Sequence, residues 1–244
     1  MHRFFIGSGS DPAECCCLSP EDAHHAVTVL RLRTGQHIEA VLDGTLWDAE
    51  IVSADSRDVR IRLLSALPSR EALLSVTLFQ GLPKADKMDL IVQKATELGA
   101  CRIVPVIMNR CVSRPDRKDI SRKLDRWNKI AREAGKQSGR CIIPEVSFPV
   151  TLKDLPHYAA LPETNVVLWE EARGIGPLSF RTSHENLSSL GILIGPEGGI
   201  EKEEIGLLSE AGFVSLTLGK RILRTETAGL AAISAFMSLY GEME

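Results

Sequence analysis

The chain has 244 residues, 44% of them hydrophobic and 25% charged, with 29 Lys+Arg against 32 Asp+Glu and a formal net charge of -3. This balance excludes a disordered or collagen-like chain, and the length predicts one or two domains with a proper core. No apolar run approaches the roughly 18–20 residues of a membrane helix, and the apolar start Phe4-Phe5-Ile6 is too short for a secretory signal, so a cytoplasmic protein is expected.

Near-neutrality hides a basic middle. Residues 1–68 carry a net charge of -4, residues 69–150 a net of +7 and residues 151–244 a net of -6. The block 110–140 holds 11 basic and 4 acidic residues, the footprint expected for a polyanionic partner rather than for a solvated helix face alone. Cysteines 15, 16 and 17 are consecutive, and Cys101, Cys111 and Cys141 are scattered. With no CxxC pair and no His at finger spacing, they read as reduced small hydrophobes, and no metal is expected.

In chain order, Ser19-Pro20 opens a predicted helix over 21–32. Residues 37–64 then alternate like half-buried strands. Trp47, Ala49 and Ile51 share one face, and Val59, Ile61 and Leu63 alternate with Arg60 and Arg62, with Asp43-Gly44 as a turn between strands. A small β-rich module ends near Pro68. From residue 74 the rhythm becomes strand–helix repeats. Short apolar strands are predicted at 76–79, 103–107, 166–169, 192–194 and 214–218. Helices are predicted along Met88, Ile91, Val92, Ala95 and Leu98, along Ile120, Leu124, Trp127, Ala131 and Ala134, and at 201–211 and 225–239. This pattern implies an α/β domain with a mostly parallel sheet. Arg122, Arg126, Lys129 and Lys136 lie opposite the apolar stripe of their helix. The last helix has almost no polar face, which places it in a large core or a subunit interface.

Two loops between a strand and a helix invite chemistry, because ligands sit at the carboxyl ends of parallel strands. Gly195-Pro196-Glu197-Gly198-Gly199-Ile200 lacks the Lys-Ser/Thr of a phosphate loop, and Glu201, Glu203 and Glu204 follow it. It therefore favours a ligand without phosphate, if it is not simply a tight turn. Leu218-Gly219-Lys220-Arg221-Ile222-Leu223-Arg224-Thr225-Glu226-Thr227-Ala228 opens the last helix, with Thr225 as the expected N-cap.

These two segments, in this order and spacing, resemble the carboxyl-terminal signature of SPOUT RNA methyltransferases, and within them the RsmE family. The similarity extends over nearly the whole chain. Arg3-Phe4-Phe5, His25, Val29-Leu30-Arg31, Gly35 and Asp43-Gly44 match its PUA-like amino-terminal domain. Lys84, Lys87, Gln93-Lys94, Glu97-Leu98-Gly99 and Arg110 match the start of its catalytic domain, and Trp127, Ile130, Glu133-Ala134 and Gln137-Ser138-Gly139-Arg140 its central motif. Lys136 stands where an acidic residue is expected, and Glu201 where a small hydroxyl residue is expected.

The resemblance implies a PUA-like β-barrel over 1–70 and, over 71–244, a SPOUT domain with a carboxyl-terminal trefoil knot. It implies a homodimer joined through the last helix. It also implies methyl transfer from S-adenosylmethionine (SAM) to N3 of a uridine, position 1498 of 16S rRNA in the small ribosomal subunit. The SAM pocket is expected from Leu168, Trp169, Glu170, Gly195, Pro196, Glu197, Gly199, Ile200, Leu218, Gly219, Ile222, Leu223, Arg224, Thr227 and Ala228. Arg224, Glu226 and Arg140 are the catalytic candidates, with the acceptor of the N3 proton left open among the alternatives. Expected RNA contacts are Arg3, Arg31, Lys84, Lys87, Arg110, Arg122, Arg126, Lys129, Lys136 and Arg140. Two rival readings are a non-catalytic RNA-binding assembly factor with an idle pocket, and an α/β enzyme acting on a small nucleotide.

Overall fold

The computed structural model describes residues 2–7, 15–55, 57–112 and 116–243; Arg114 of the basic block lies outside the described residues. The chain divides into two compact units, residues 1–71 with 139–142, and residues 72–138 with 143–244.

The first unit is a five-stranded sheet of β1 (Arg3–Phe5), β2 (Cys15–Cys17), β3 (His37–Leu42), β4 (Thr45–Ala54) and β5 (Val59–Ala66), with α1 (Pro20–His24) between β2 and β3. Strand pairing runs β1-β3-β4-β5-β2 as an open path, parallel only between β1 and β3. Asp43 and Gly44, with φ of 48° and 79°, make the tight turn between β3 and β4, the geometry whose twist suits a two-residue hairpin. Alternation along β4 and β5 sends Ala49, Ile51, Val59, Ile61 and Leu63 into a core with Phe4 and Ile38.

Two features depart from the sequence reading. The cysteine run is a strand, with Cys16 buried and Cys15 and Cys17 exposed. The helix expected to reach residue 32 ends at His24 and widens into a π-type turn, His25–Val29, where the β-branched run Val27-Thr28-Val29 crowds a regular helix.

Arg140 completes this unit. Its guanidinium donates to the Glu71 carboxylate at 2.6 and 3.0 Å, and Glu71 also accepts the Cys141 and Ile142 backbone N–H groups. Burial pushes the Glu71 carboxyl up, but Arg140 and the two N–H donors outweigh it and hold the pKa below its ordinary 4.5. A carboxyl depressed in the folded state stabilises the fold above its unfolded pKa, and that contribution is lost as pH falls through the lower folded value. Unfolding free energy measured by urea titration at a series of pH values should therefore drop below pH 4.5. Glu71→Gln should remove that step and cost about 3–5 kcal/mol at neutral pH by breaking a buried ion pair. An unchanged acid profile in the variant would show that the pair contributes nothing.

The second unit is built on β6 (Ser75–Gly81), β7 (Ala100–Ile107), β8 (Glu145–Val146), β9 (Val150–Thr151), β10 (Thr164–Leu168), β11 (Ser189–Ile194) and β12 (Phe213–Leu216). They form one sheet in the order β12-β10-β11-β6-β7-β8, with β9 also on β7, and every pair is parallel. The apolar runs of β6, β10 and β11 are buried almost continuously, as strands covered on both faces must be. The helices are α2 (Lys87–Glu97), α3 (Arg117–Ser138), α4 (Pro177–Ser183), α5 (Lys202–Glu210) and α6 (Thr225–Leu239).

Helix α6 packs on α2, α4, β6 and β11. Ala232, Ile233 and Phe236 are fully buried in the chain's own core, which leaves Ala228, Leu230, Ala231, Ala235 and Leu239 as its half-buried apolar positions. The helix begins at Thr225, so Arg224 rather than Thr225 occupies the N-cap, and no side chain caps it.

Candidate active site

The loops after β10, β11 and β12 meet in one cleft of about 800 Å3. These strands are neighbours in a parallel sheet, so their carboxyl ends open on the same side. Of the expected cofactor residues, Leu168, Trp169, Glu170, Gly195, Pro196, Glu197, Gly199, Ile200, Leu218, Gly219, Ile222, Leu223, Arg224 and Ala228 all line this cleft; Thr227 does not, being exposed on the first turn of α6. Ala172, Arg173 and Gly174 of the first loop, and Thr217, were missed by sequence reasoning. Only the strand end at Leu168 signalled that a third loop takes part.

The loops are tied together by a buried hydroxyl. Thr225 Oγ1 donates to the Gly195 carbonyl at 2.7 Å and accepts from Gln80 Nε2 at 2.8 Å. This joins the start of α6, the Gly-rich loop and the end of β6. Thr225→Val keeps the shape and removes both bonds; it should cost about 1–3 kcal/mol, the range for leaving a buried partner unsatisfied. Thermal unfolding reads this directly, and an unshifted transition would show that the hydroxyl is dispensable.

The Gly-rich loop is braced from behind by Asn109 and Arg110. Arg110 donates to the Gly198 carbonyl at 3.0 Å and to Glu201 at 3.4 Å, and Asn109 donates to Glu201 and to buried Glu204 at 2.8 Å each. Glu204 in turn accepts the Glu201 backbone N–H at 3.1 Å, so Glu201 serves the helix start where a hydroxyl residue was expected. The Asn109 bond, then Arg110, holds the Glu201 carboxyl below its ordinary range against the pull of desolvation. At Gly198 a Cβ would lie 2.8 Å from the Arg110 Cβ. At Gly199, whose φ is +76°, it would lie 2.6 Å from Glu170 Oε1.

At the other side of the cleft Lys87 Nζ sits 3.0 Å from both Glu197 Oε1 and Glu226 Oε2. Bonds to the two carboxylates raise the Lys87 pKa. Burial acts to raise the Glu197 carboxyl, yet its own N–H, Lys87 and the Lys84 N–H prevail and lower it. The Glu226 carboxyl is lowered by its own backbone N–H first, with Lys87 and Arg224 adding to this against desolvation. All three groups are therefore charged at neutral pH.

The remaining candidate residues are placed as follows. Arg140 is 7% exposed and bound to Glu71 in the first unit. Arg3, its side chain 4% exposed, is held by Glu39 at 2.6 Å and by the carbonyls of Gly139 and Arg140. Lys87 is paired with Glu197 and Glu226, and Arg110 with Glu201. On α3, Arg122 pairs with Asp119, and Arg126 with Asp86 and Asp89, whereas Lys129 is exposed and Lys136 half-buried. Arg31 and Lys84 are exposed.

The cleft fits SAM on its own chemistry. Leu168, Ile194, Ile200, Leu218 and Ala228 supply apolar wall, and the glycines leave backbone N–H and C=O groups open to a ligand. The buried Trp169 indole N–H, also in the wall, has no acceptor among the described residues, so a donor is available to a bound group.

Residues 70–237 match the RNA methyltransferase domain family, and residues 18–64 the RNA methyltransferase PUA domain. The ribosomal RNA small subunit methyltransferase E of Bacillus subtilis is 37% identical, over 96% of this chain and 95% of that protein. A crystal structure of the Neisseria gonorrhoeae ribosomal RNA small subunit methyltransferase E bound to S-adenosyl methionine aligns with a TM-score of 0.86 and 31% identity, over the full length of both chains. A Legionella pneumophila putative methyltransferase in complex with bound SAM aligns at a TM-score of 0.82 and 33% identity, over 97% of this chain and 96% of that one. With both units matched and relatives aligned almost end to end, this chain belongs to the ribosomal RNA small subunit methyltransferase E family.

Proposed function

We propose that the protein is a SAM-dependent methyltransferase of small-subunit ribosomal RNA, and that its target atom is N3 of the uridine at position 1498 of 16S rRNA. The observation that carries this reading is the cleft that joins three strand-end loops, apolar-walled and open-backboned, in a chain of this family. SAM supplies a methyl group activated on a sulfonium. Leu168, Trp169, Glu170, Gly195, Pro196, Glu197, Gly199, Ile200, Leu218, Gly219, Leu223 and Ala228 would hold it. In this reading the loops thread as the family's trefoil knot.

N3 of uracil is a weak nucleophile until its proton leaves. Arg224 is exposed at the cleft and its side chain caps nothing, so it is free to stabilise charge on a uracil carbonyl as that proton departs. Glu226, lowered and tethered to Lys87, orients Lys87 and Glu197 rather than taking the proton. RNA would meet Arg31, Lys84 and the exposed Lys129 of α3. Homodimerisation would use Leu230, Ala231 and Leu239 of α6, and the enzyme would work in the cytoplasm, where ribosomal subunits are made.

The test is mass spectrometry of 16S rRNA from cells lacking the protein, before and after adding it with SAM. N3-methyluridine at position 1498 should be absent and then restored. Failure of the purified protein to bind SAM in calorimetry would overturn the reading in favour of a non-catalytic assembly factor, and light scattering reads the dimer.

A further inference from the structure

The loop between β12 and α6 carries more than a cofactor requires. Lys220 and Arg221 are exposed and line the cleft, and neither makes an ion pair or side-chain hydrogen bond among the described residues. They share this with Arg224, and it sets the three apart from Lys87 and Arg173, the other basic residues of the cleft. Lys87 is held by two carboxylates, Arg173 lies on the carbonyls of Glu170 and Ala172, and Arg122 and Arg126 of α3 are paired within the chain. Next to the two free cations stands Ile222, an apolar side chain 85% exposed although its neighbour Leu223 is half-buried. Ile222 lines the cleft, yet most of its side chain stays open.

Two bare cations and one bare aliphatic side chain on a short loop match what a nucleic acid offers, charged phosphates beside stacked bases. Phosphate contacts position a nucleic acid, and aliphatic side chains wedge between bases and keep them apart. A uridine whose N3 is to react must also leave its stack. We infer that residues 220–222 form the RNA-entry element of this cleft: Lys220 and Arg221 clamp phosphates flanking the target uridine, and Ile222 fills the gap that the extruded base leaves. The inference rests on the RNA methyltransferase reading above and moves Ile222 from the cofactor to the substrate.

The test uses the full chain with small ribosomal subunits from cells lacking it, and with a single-stranded RNA carrying 2-aminopurine beside the target uridine. The double variant Lys220→Ala/Arg221→Ala should lower the slope of log affinity against log salt by about 1.4, two contacts on a single strand. Ile222→Ser should remove the fluorescence rise of the unstacked 2-aminopurine and lower the single-turnover rate about tenfold or more, each 1.4 kcal/mol of uncompensated unstacking being a factor of ten. Ile222→Leu should restore both. SAM affinity in calorimetry should be the same in all three.

An unchanged salt slope together with an unchanged fluorescence signal would overturn the inference. So would a loss of SAM affinity with RNA binding intact, which would return the loop to the cofactor. A change of oligomeric state on Ile222→Ser would also overturn it, by making the side chain a subunit contact. These outcomes are distinct from failure of the functional reading, in which the unaltered protein methylates no subunit at all.

Discussion

Gly199→Val is expected to reduce SAM affinity about 100-fold or more while the protein stays folded, as read by calorimetry alongside circular dichroism. Gly199 has a φ of +76°, and a Cβ there would stand 2.6 Å from the Glu170 carboxylate. A β-branched side chain in this region of backbone space costs roughly 1–3 kcal/mol, and Glu170, itself part of the cleft lining, has to move away. The loop can relieve both by changing its path, and about 3 kcal/mol of lost preference for the binding conformation corresponds to roughly two orders of magnitude in affinity. The loop lies at the surface of the unit, with Arg110 bracing Gly198 from behind, so its rearrangement need not unfold the sheet. Unaltered affinity in a folded variant would show that this loop does not hold the cofactor.

Arg224→Lys should lower the single-turnover rate at saturating SAM and RNA by about 10²–10³, the usual consequence of losing one transition-state donor. Lysine retains the charge and loses the planar fork that can serve two acceptors. The side chain caps no helix N–H although it occupies the N-cap of α6, so the substitution leaves the helix start as it is. If Arg224 stabilises charge that grows as N3 loses its proton, kcat and kcat/KM fall together. If it only anchors SAM, the deficit is repaired by excess cofactor. A normal rate under saturation would remove Arg224 from the chemistry.

The strands and helices of the second unit are legible because their physics is local. A buried parallel strand reads as a continuous apolar run, as in β6 and β11, and an amphipathic helix as a 3.6-residue stripe, as in α3. Elements whose reason is a distant partner were not legible. β1 exists because β3 offers it an edge, and β2 because β5 does. Three residues each, they carry too little pattern to be read alone.

The cleft divides in the same way. Its glycines and strand-end loops announce themselves by composition. The pairing of Arg140 with Glu71 lies 69 residues apart in the chain, and that of Lys87 with Glu226 lies 139 apart. No spacing rule reaches that far, so Arg140 was read as a catalytic candidate without sight of its bond to Glu71. The exposure of Ile222 was equally hidden, since its hydrophobicity alone assigns it to a wall.

The strand order of the second sheet sets when this protein can become active during its synthesis. Ser75 of β6 pairs with Ser189 of β11, and Ser189 is followed within a few residues by the Gly-rich loop. A nascent chain on the ribosome therefore has β6 and β7 in hand long before it has the strand that completes their sheet on the other side. Closing so long a loop carries an entropic cost that only the finished pairing returns, which makes such topologies slow to fold. Every residue of the cleft except Lys87 lies beyond position 167, so the binding site is assembled last and nearly at once. Half-made chains would bare the apolar edge of β6 without any capacity to bind cofactor. Folding yield should accordingly respond more strongly to substitutions in β11 than to equally buried ones in β7, whose partner β6 is already present when it emerges.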